Sequence, residues 1–177
     1  MIFLEKKISL LEILIYNQMK FHTIGVYNST EQEFFDKLLH NNIDTFCDIR
    51  QRRGVRGSKY SFVNSKKLQI KLQDLGINYY HFIDLAPTKE IRELQKLADK
   101  NNQELKRDRT TLGKVFTDEY KNKIVDNFDF LKFLKVLKQS NAINIVLFCV
   151  EESNKACHRS LVAEELNSRY EFYVKNI

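Results

Sequence analysis

The run Ile145-Val146-Leu147-Phe148-Cys149-Val150 places six apolar residues in a row. A half-buried strand alternates apolar and polar side chains, so a short run without alternation predicts a strand covered on both faces. Asn144 precedes the run, and a polar loop from Glu151 to Ala156 follows it. Cys157-His158-Arg159-Ser160 then opens a helix whose apolar positions, Val162, Ala163 and Leu166, recur at helical spacing. A doubly covered strand that feeds a helix needs layers on both sides. That requirement selects an α/β fold.

The rest of the chain repeats the alternation. Phe21 to Val26 predicts a first strand, and Thr30-Glu31-Gln32-Glu33 has the form of a capping box. The helix it starts carries Phe34, Phe35, Leu38 and Leu39 and stops at Asn41-Asn42. Ile43 to Ile49 predicts a second strand. A helix capped at Asn64 or Ser65 and stopped by Gly76 comes next, then a third strand from Ile77 to Leu85. Ala86-Pro87-Thr88 opens a further helix, residues 99–114 read as a polar, basic lid, and one long helix spans Thr117 to Gln139. Tyr170 to Ile177 closes as a strand. The expected architecture is a single domain over residues 21–177, with a mostly parallel sheet and helices on both faces in a Rossmann-like three-layer arrangement. Residues 1–20 read as an amphipathic extension, packed on the domain or on a second copy in a homodimer.

Composition narrows the setting. The chain has 177 residues, enough for one domain with a real core. Its three cysteines, Cys47, Cys149 and Cys157, are odd in number and form no Cys-x-x-Cys pair, which points to a reducing cytoplasm. The apolar stretch at residues 8–19 is interrupted by Glu12 and is too short to span a bilayer, so no membrane partner is expected. The net charge of +6 suits anionic partners.

In a parallel sheet, ligands bind beyond the carboxyl ends of the strands. Gly25, then Asp48 with Arg50, then Cys149 with Glu151 all lie at such ends. Arg159 heads the apolar stripe of the last helix, so its side chain points towards the sheet edge, where an anion or a carboxylate should meet it. Asp48, Glu151 and Glu152 are the available carboxylates. Glu151, Asp48, Cys157 and His158 are the candidate catalytic groups. Arg159, Ser160, Arg50, Arg53, Arg56, Gly25 and Cys149 are the candidate anion-binding set.

Cysteine-dependent phosphate chemistry places five loop residues between the thiol and an arginine opening a helix. Here Arg159 lies ten positions after Cys149 and two after Cys157, which argues against it. Successive residues on a helix point about 100° apart, so Cys157 and His158 at a helix start chelate one ion poorly. No residue is therefore assigned to a metal, and no cofactor is identified. Between Ile49 and Gln73 there is no acidic residue, while Arg50, Arg52, Arg53, Arg56, Lys59, Lys66, Lys67 and Lys71 supply eight positive charges. With Gly54, Gly57, Tyr60 and Phe62 interleaved, this reads as a phosphate-gripping loop with stacking platforms nearby.

Thr23-Ile24-Gly25, Asp48-Ile49-Arg50, Gly76-Ile77-Asn78-Tyr79 and Cys149-Val150-Glu151 with Cys157-His158-Arg159-Ser160 resemble the motifs of the prokaryotic family called domain of unknown function 488. Arg52-Arg53-Gly54-Val55-Arg56-Gly57 and Leu85-Ala86-Pro87-Thr88-Lys89 are similar to one branch of it. The likeness runs from about Phe21 to Ser168, and Gly25-Val26-Tyr27 stands where the family usually has Gly-His-Ser. The resemblance implies a compact α/β fold with these motifs at one site, and it brings no activity with it. The expectation from the residues is a phosphate-bearing ligand, nucleotide or nucleic acid, in a crevice at the sheet edge, for a hydrolase or transferase. A non-catalytic nucleic-acid-binding protein using the 50–71 face and a cysteine-based metal or redox sensor are the alternatives.

Overall fold

Among the residues that the computed structural model describes (18–101, 103 and 110–177), five short strands form one sheet. They are β1 (Lys20–Ile24), β2 (Thr45–Asp48), β3 (Asn78–His81), β4 (Asn144–Phe148) and β5 (Val174–Asn176). Every pairing is parallel, in the order β3-β2-β4-β1-β5. The apolar run identified first is the central strand, β4, and Ile145 to Phe148 are fully buried.

Helix α1 (Glu31–His40) begins at the expected capping box. Thr30 Oγ1 accepts from the Glu33 amide, and the Glu33 carboxylate accepts from the Thr30 amide at 2.7 Å. Helix α2 (Ser65–Asp74) ends before Gly76, whose φ of 71° suits a residue without Cβ. Helix α3 (Lys89–Asn101) follows β3 and a short 3₁₀ turn, Ile83–Leu85. The predicted long helix at 117–139 is instead two: α4 (Lys114–Lys123) and α5 (Phe130–Gln139), parted by a 3₁₀ turn, Val125–Asn127. The break is chemical. Asn127 Nδ2 donates to the Asn122 carbonyl, and Asp129 caps α5 by accepting from the Lys132 amide at 2.9 Å. Helix α6 (Arg159–Tyr170) leads to β5. Most of the N-terminal extension (residues 1–17) and most of the proposed lid's centre (102 and 104–109) lie outside the described residues.

The two faces of the sheet carry separate cores. Phe34, Phe35 and Leu38 of α1 and Leu68 and Leu72 of α2 pack with Phe46, Val146 and Phe148. Residues from α3 to α6, including Ile91, Tyr120, Phe133 and Val162, pack on Cys47, Ile145 and Leu147. The connections β1 to β2 and β2 to β3 move one way across the sheet over the α1/α2 face. Those from β3 to β4 and β4 to β5 move the other way over the opposite face. That division is what right-handed crossovers require. It has two results at the carboxyl edge. The exits of β2 and β4, neighbours in the sheet, diverge and open a switch point between them. The exits of β4 and β1 run across each other and meet.

Candidate functional site

Where the β1 and β4 exits meet, they are sewn together. The amides of Val26 and Tyr27 both donate to the Val150 carbonyl, at 3.2 and 3.1 Å. A Cβ on Gly25 would lie 2.0 Å from the Glu151 carbonyl oxygen and 3.2 Å from Arg159 Nη2, so only glycine fits. Arg159 is fully buried, as its helical register implies. Its Nη1 donates to the Glu151 carbonyl at 2.6 Å and its Nη2 to the Glu152 carbonyl at 2.8 Å. Nε has no partner among the described residues. The guanidinium therefore fastens the loop after β4 by its main chain. Its hydrogen bonds among the described residues go to carbonyls and not to the expected carboxylate, and its full burial leaves no open ligand surface.

On the α1/α2 face, Asp48 and Arg50 form a closed unit. Arg50 Nε and Nη2 donate to the two Asp48 carboxylate oxygens at 2.8 and 2.7 Å, with both side chains buried. Nη2 also donates to the Val63 carbonyl at 3.0 Å, and the guanidinium carbon lies 4.5 Å from the Phe148 ring centre. Tyr79 donates its hydroxyl to Asp48 at 2.9 Å. Burial, reinforced by the Asp48 charge and hydrogen bond and opposed by Arg53, pushes Tyr79 up to about 12. Arg53 hydrogen-bonds Tyr79, which raises its own affinity for the proton. Asp48 thus anchors arginines through a network, and Arg50 is fixed within the fold.

On the opposite face, at the β2/β4 switch point, Cys149, Cys157 and His158 converge. His158 Nδ1 lies 3.9 Å from Cys149 Sγ and 3.8 Å from Cys157 Sγ. The other ring nitrogen, Nε2, is 3.0 Å from the Ile49 carbonyl. A carbonyl only accepts, so Nε2 carries a hydrogen and directs it to Ile49, while Nδ1 faces both sulfurs. The Tyr120 ring packs against the imidazole at 5.5 Å between centres. The shared hydrogen bond, and burial with it, holds the Cys149 thiol far above its usual value. Burial pushes Cys157 up too, but the Cys149 hydrogen bond, His158 and Arg159 outweigh it and draw that thiol well down.

These neighbours correct the geometry expected for the turn. Cys157 is extended, with φ −137° and ψ 141°, and the helix proper starts at Arg159. The 100° separation of successive helical side chains does not apply, so Cys157 and His158 can face one point. The single expected crevice is likewise divided. Asp48 and Arg50 sit on one face of the sheet, and Cys149, Cys157 and His158 sit on the other, because alternate residues of β2 and β4 point oppositely. Glu151 is buried beside the seam, and Ser160 Oγ donates back to the Cys157 carbonyl at 2.9 Å. Ser160 also lines an open hollow of about 620 Å³ with Leu112, Lys121, Lys155 and Glu164, on the outer side of α6.

The loop that follows Arg50 remains at the surface. Arg52 and Arg56 are exposed, and Arg53 is half-buried on Tyr79. The loop is nonetheless tied down. Ser65 donates its amide to the Arg53 carbonyl at 2.8 Å, His81 Nε2 lies 2.8 Å from the Arg50 carbonyl, and the Val55 amide donates to Asn64 Oδ1. Tyr60 packs against Tyr27 with ring centres 5.2 Å apart and planes tilted by 50°, and it accepts from the Asn28 amide at 3.1 Å. The contacts of Tyr79 with Asp48, Tyr120 with His158 and Asn64 with Val55 are not expected from the sequence. The available signal was that a buried tyrosine hydroxyl must find a partner.

No curated protein and no solved structure matches the chain. A family model matches residues 30–166, which takes in β2, the arginine loop and the whole Cys-x-Glu to Cys-His-Arg-Ser segment. The chain belongs to the family described as Domain of unknown function DUF488.

Proposed function

We propose that the chain binds a phosphate-bearing ligand, nucleotide or nucleic acid, at its carboxyl sheet edge through the loop of residues 51–60. The observation that carries this reading is that loop's state: a pre-ordered segment presenting Arg52, Arg53 and Arg56, none of them in an ion pair among the described residues. A backbone already held in place gives up less entropy when its arginines grip phosphate, and their forked donors match it. The roles assigned to Arg50 and Arg159 pass to these three, since the buried pair is committed to the fold.

Two further features support the assignment. Helix α2 begins beside this loop with Lys66 and Lys67 and no acidic residue in its first turn, and Asn64 spends its side chain on Val55 instead of capping it. Its amide end thus adds to the positive field. Tyr27 and Tyr60, both partly exposed, offer rings on which a base can stack.

The test is titration of a fluorescent single-stranded oligonucleotide and of free nucleotides into the full chain at several salt concentrations. Binding should weaken linearly in log salt, by about 0.7 per phosphate neutralised on a single strand. Arg52→Ala with Arg56→Ala should lower both affinity and slope. Binding that ignores salt and those two substitutions would end the proposal.

A further inference from the structure

The cluster at the β2/β4 switch point lies on the sheet face opposite Asp48 and Arg50, and the proposed phosphate site does not draw on it. We propose that Cys149, Cys157 and His158 are three protein ligands of a thiophilic divalent cation, with zinc the best match. Their ligand atoms all lie within 4.8 Å of one another, and all three side chains are buried.

The geometry suits a tetrahedral ion. Zinc–sulfur bonds of about 2.3 Å and zinc–nitrogen bonds of about 2.0 Å at tetrahedral angles put sulfur and nitrogen roughly 3.5 Å apart. Here His158 Nδ1 stands 3.8 and 3.9 Å from the two sulfurs, so contraction by a few tenths of an ångström suits the two nitrogen–sulfur edges, and the sulfurs, within 4.8 Å of each other, close on the ion to about 3.8 Å. An independent feature points the same way. A metal-bound histidine donates its other ring N–H to a carbonyl or carboxylate, which fixes the tautomer. His158 Nε2 already does this with Ile49, whose amide in turn donates to the Phe148 carbonyl at 3.2 Å. The donor nitrogen is thus held by the two strands that flank the switch point. Two sulfurs and an imidazole select zinc over magnesium or calcium, which prefer oxygen. The three side chains fill three of four positions and leave the last to an oxygen ligand.

Both sulfurs bind the ion as thiolates, so any thiol proton still present leaves as the ion enters, and binding strengthens with rising pH. Zinc analysis and cobalt titration of the fully reduced, folded chain test the proposal. Cobalt should bind at one equivalent, with thiolate-to-cobalt absorption in the near ultraviolet and the visible bands of a tetrahedral ion, and zinc should displace it. Cys47→Ala should leave the spectrum unchanged, because Cys47 lies in the core on β2 outside the cluster. Cys149→Ser, Cys157→Ser and His158→Gln should each weaken cobalt by more than the roughly 10–100-fold expected for losing an outer partner. Absence of the thiolate band in the reduced wild-type chain would overturn the proposal whatever the variants do. So would persistence of that band in the Cys149→Ser/Cys157→Ser double variant. Neither result bears on oligonucleotide binding at the arginine loop.

Discussion

Gly25 and Glu151 touch so closely that a single methyl group on Gly25 would overlap the Glu151 carbonyl oxygen. The loops after β1 and β4 therefore share one backbone contact that no side chain can enter. Gly25→Ala should cost about 3 kcal/mol or more, since the obstacle is main chain and not a flexible side-chain tip. For a domain of this size each kcal/mol lowers Tm by roughly 2–4 °C. A melting curve checks this, and an unchanged Tm would mean that the two loops part easily.

Arg159 supplies the other half of that seam. Arg159→Lys keeps the charge but cannot reach both carbonyls with a planar fork. Loss of about 2 kcal/mol is expected, with faster amide hydrogen exchange at residues 150–152. An exchange pattern changed at the arginine loop instead would relocate the role of this residue.

Asp48 and Arg50 form an ion pair with almost no solvent contact. Asp48→Ala should destabilise the fold by about 3–5 kcal/mol because it strands a buried guanidinium. Asp48→Leu with Arg50→Met should recover part of that loss in urea unfolding. If the double variant is worse than the single one, the pair does more than neutralise itself.

Burial, with help from Lys175 and Lys20, lowers the pKa of His22 below its ordinary 6.5, against its hydrogen bond with the Ile145 carbonyl. The folded state therefore holds the proton less tightly than the unfolded chain. Its contribution to stability is complete above about pH 6.5 and is lost as pH falls through the lowered folded value. His22→Gln should flatten the unfolding free energy measured across that acidic window relative to wild type.

Asn64 joins the arginine loop to the start of α2 by accepting from the Val55 amide. Asn64→Ala should remove about 1 kcal/mol and loosen the loop. Hydrogen exchange at Val55 should quicken, and oligonucleotide affinity should fall although no positive charge is lost. Unchanged affinity with a loosened loop would show that pre-ordering is not what the ligand uses.

The sequence was most readable where one residue determines its own surroundings. Thr30 and Glu33 announce a helix start through their own side chains, Gly76 marks a left-handed turn, and six apolar residues can only be a covered strand. Arg159 was correctly placed facing inward by its register, but its partners are carbonyls, which no residue type reveals. The division of the site between two faces followed from alternation along β2 and β4, yet it needed the strand order to be seen. The direction of the Cys157 thiol is not legible from helical spacing, because the helix starts two residues later, at Arg159, and one extended residue changes where a thiol points. Tyr79 joins Asp48 only through the pairing of β2 with β3.

Strand β4 lies between β1 and β2 in the sheet, but it is made roughly a hundred residues after them. A chain emerging from the ribosome can pair β2 with β3 early, while β1 has neither neighbour until β4 and then β5 arrive. The first 140 residues thus hold a lone ribbon and an orphan strand with bare edges, open to wrong partners. Synthesis of the motif segment and closure of the sheet are consequently the same event, so a chain truncated before β4 lacks the closed sheet and the motif residues together.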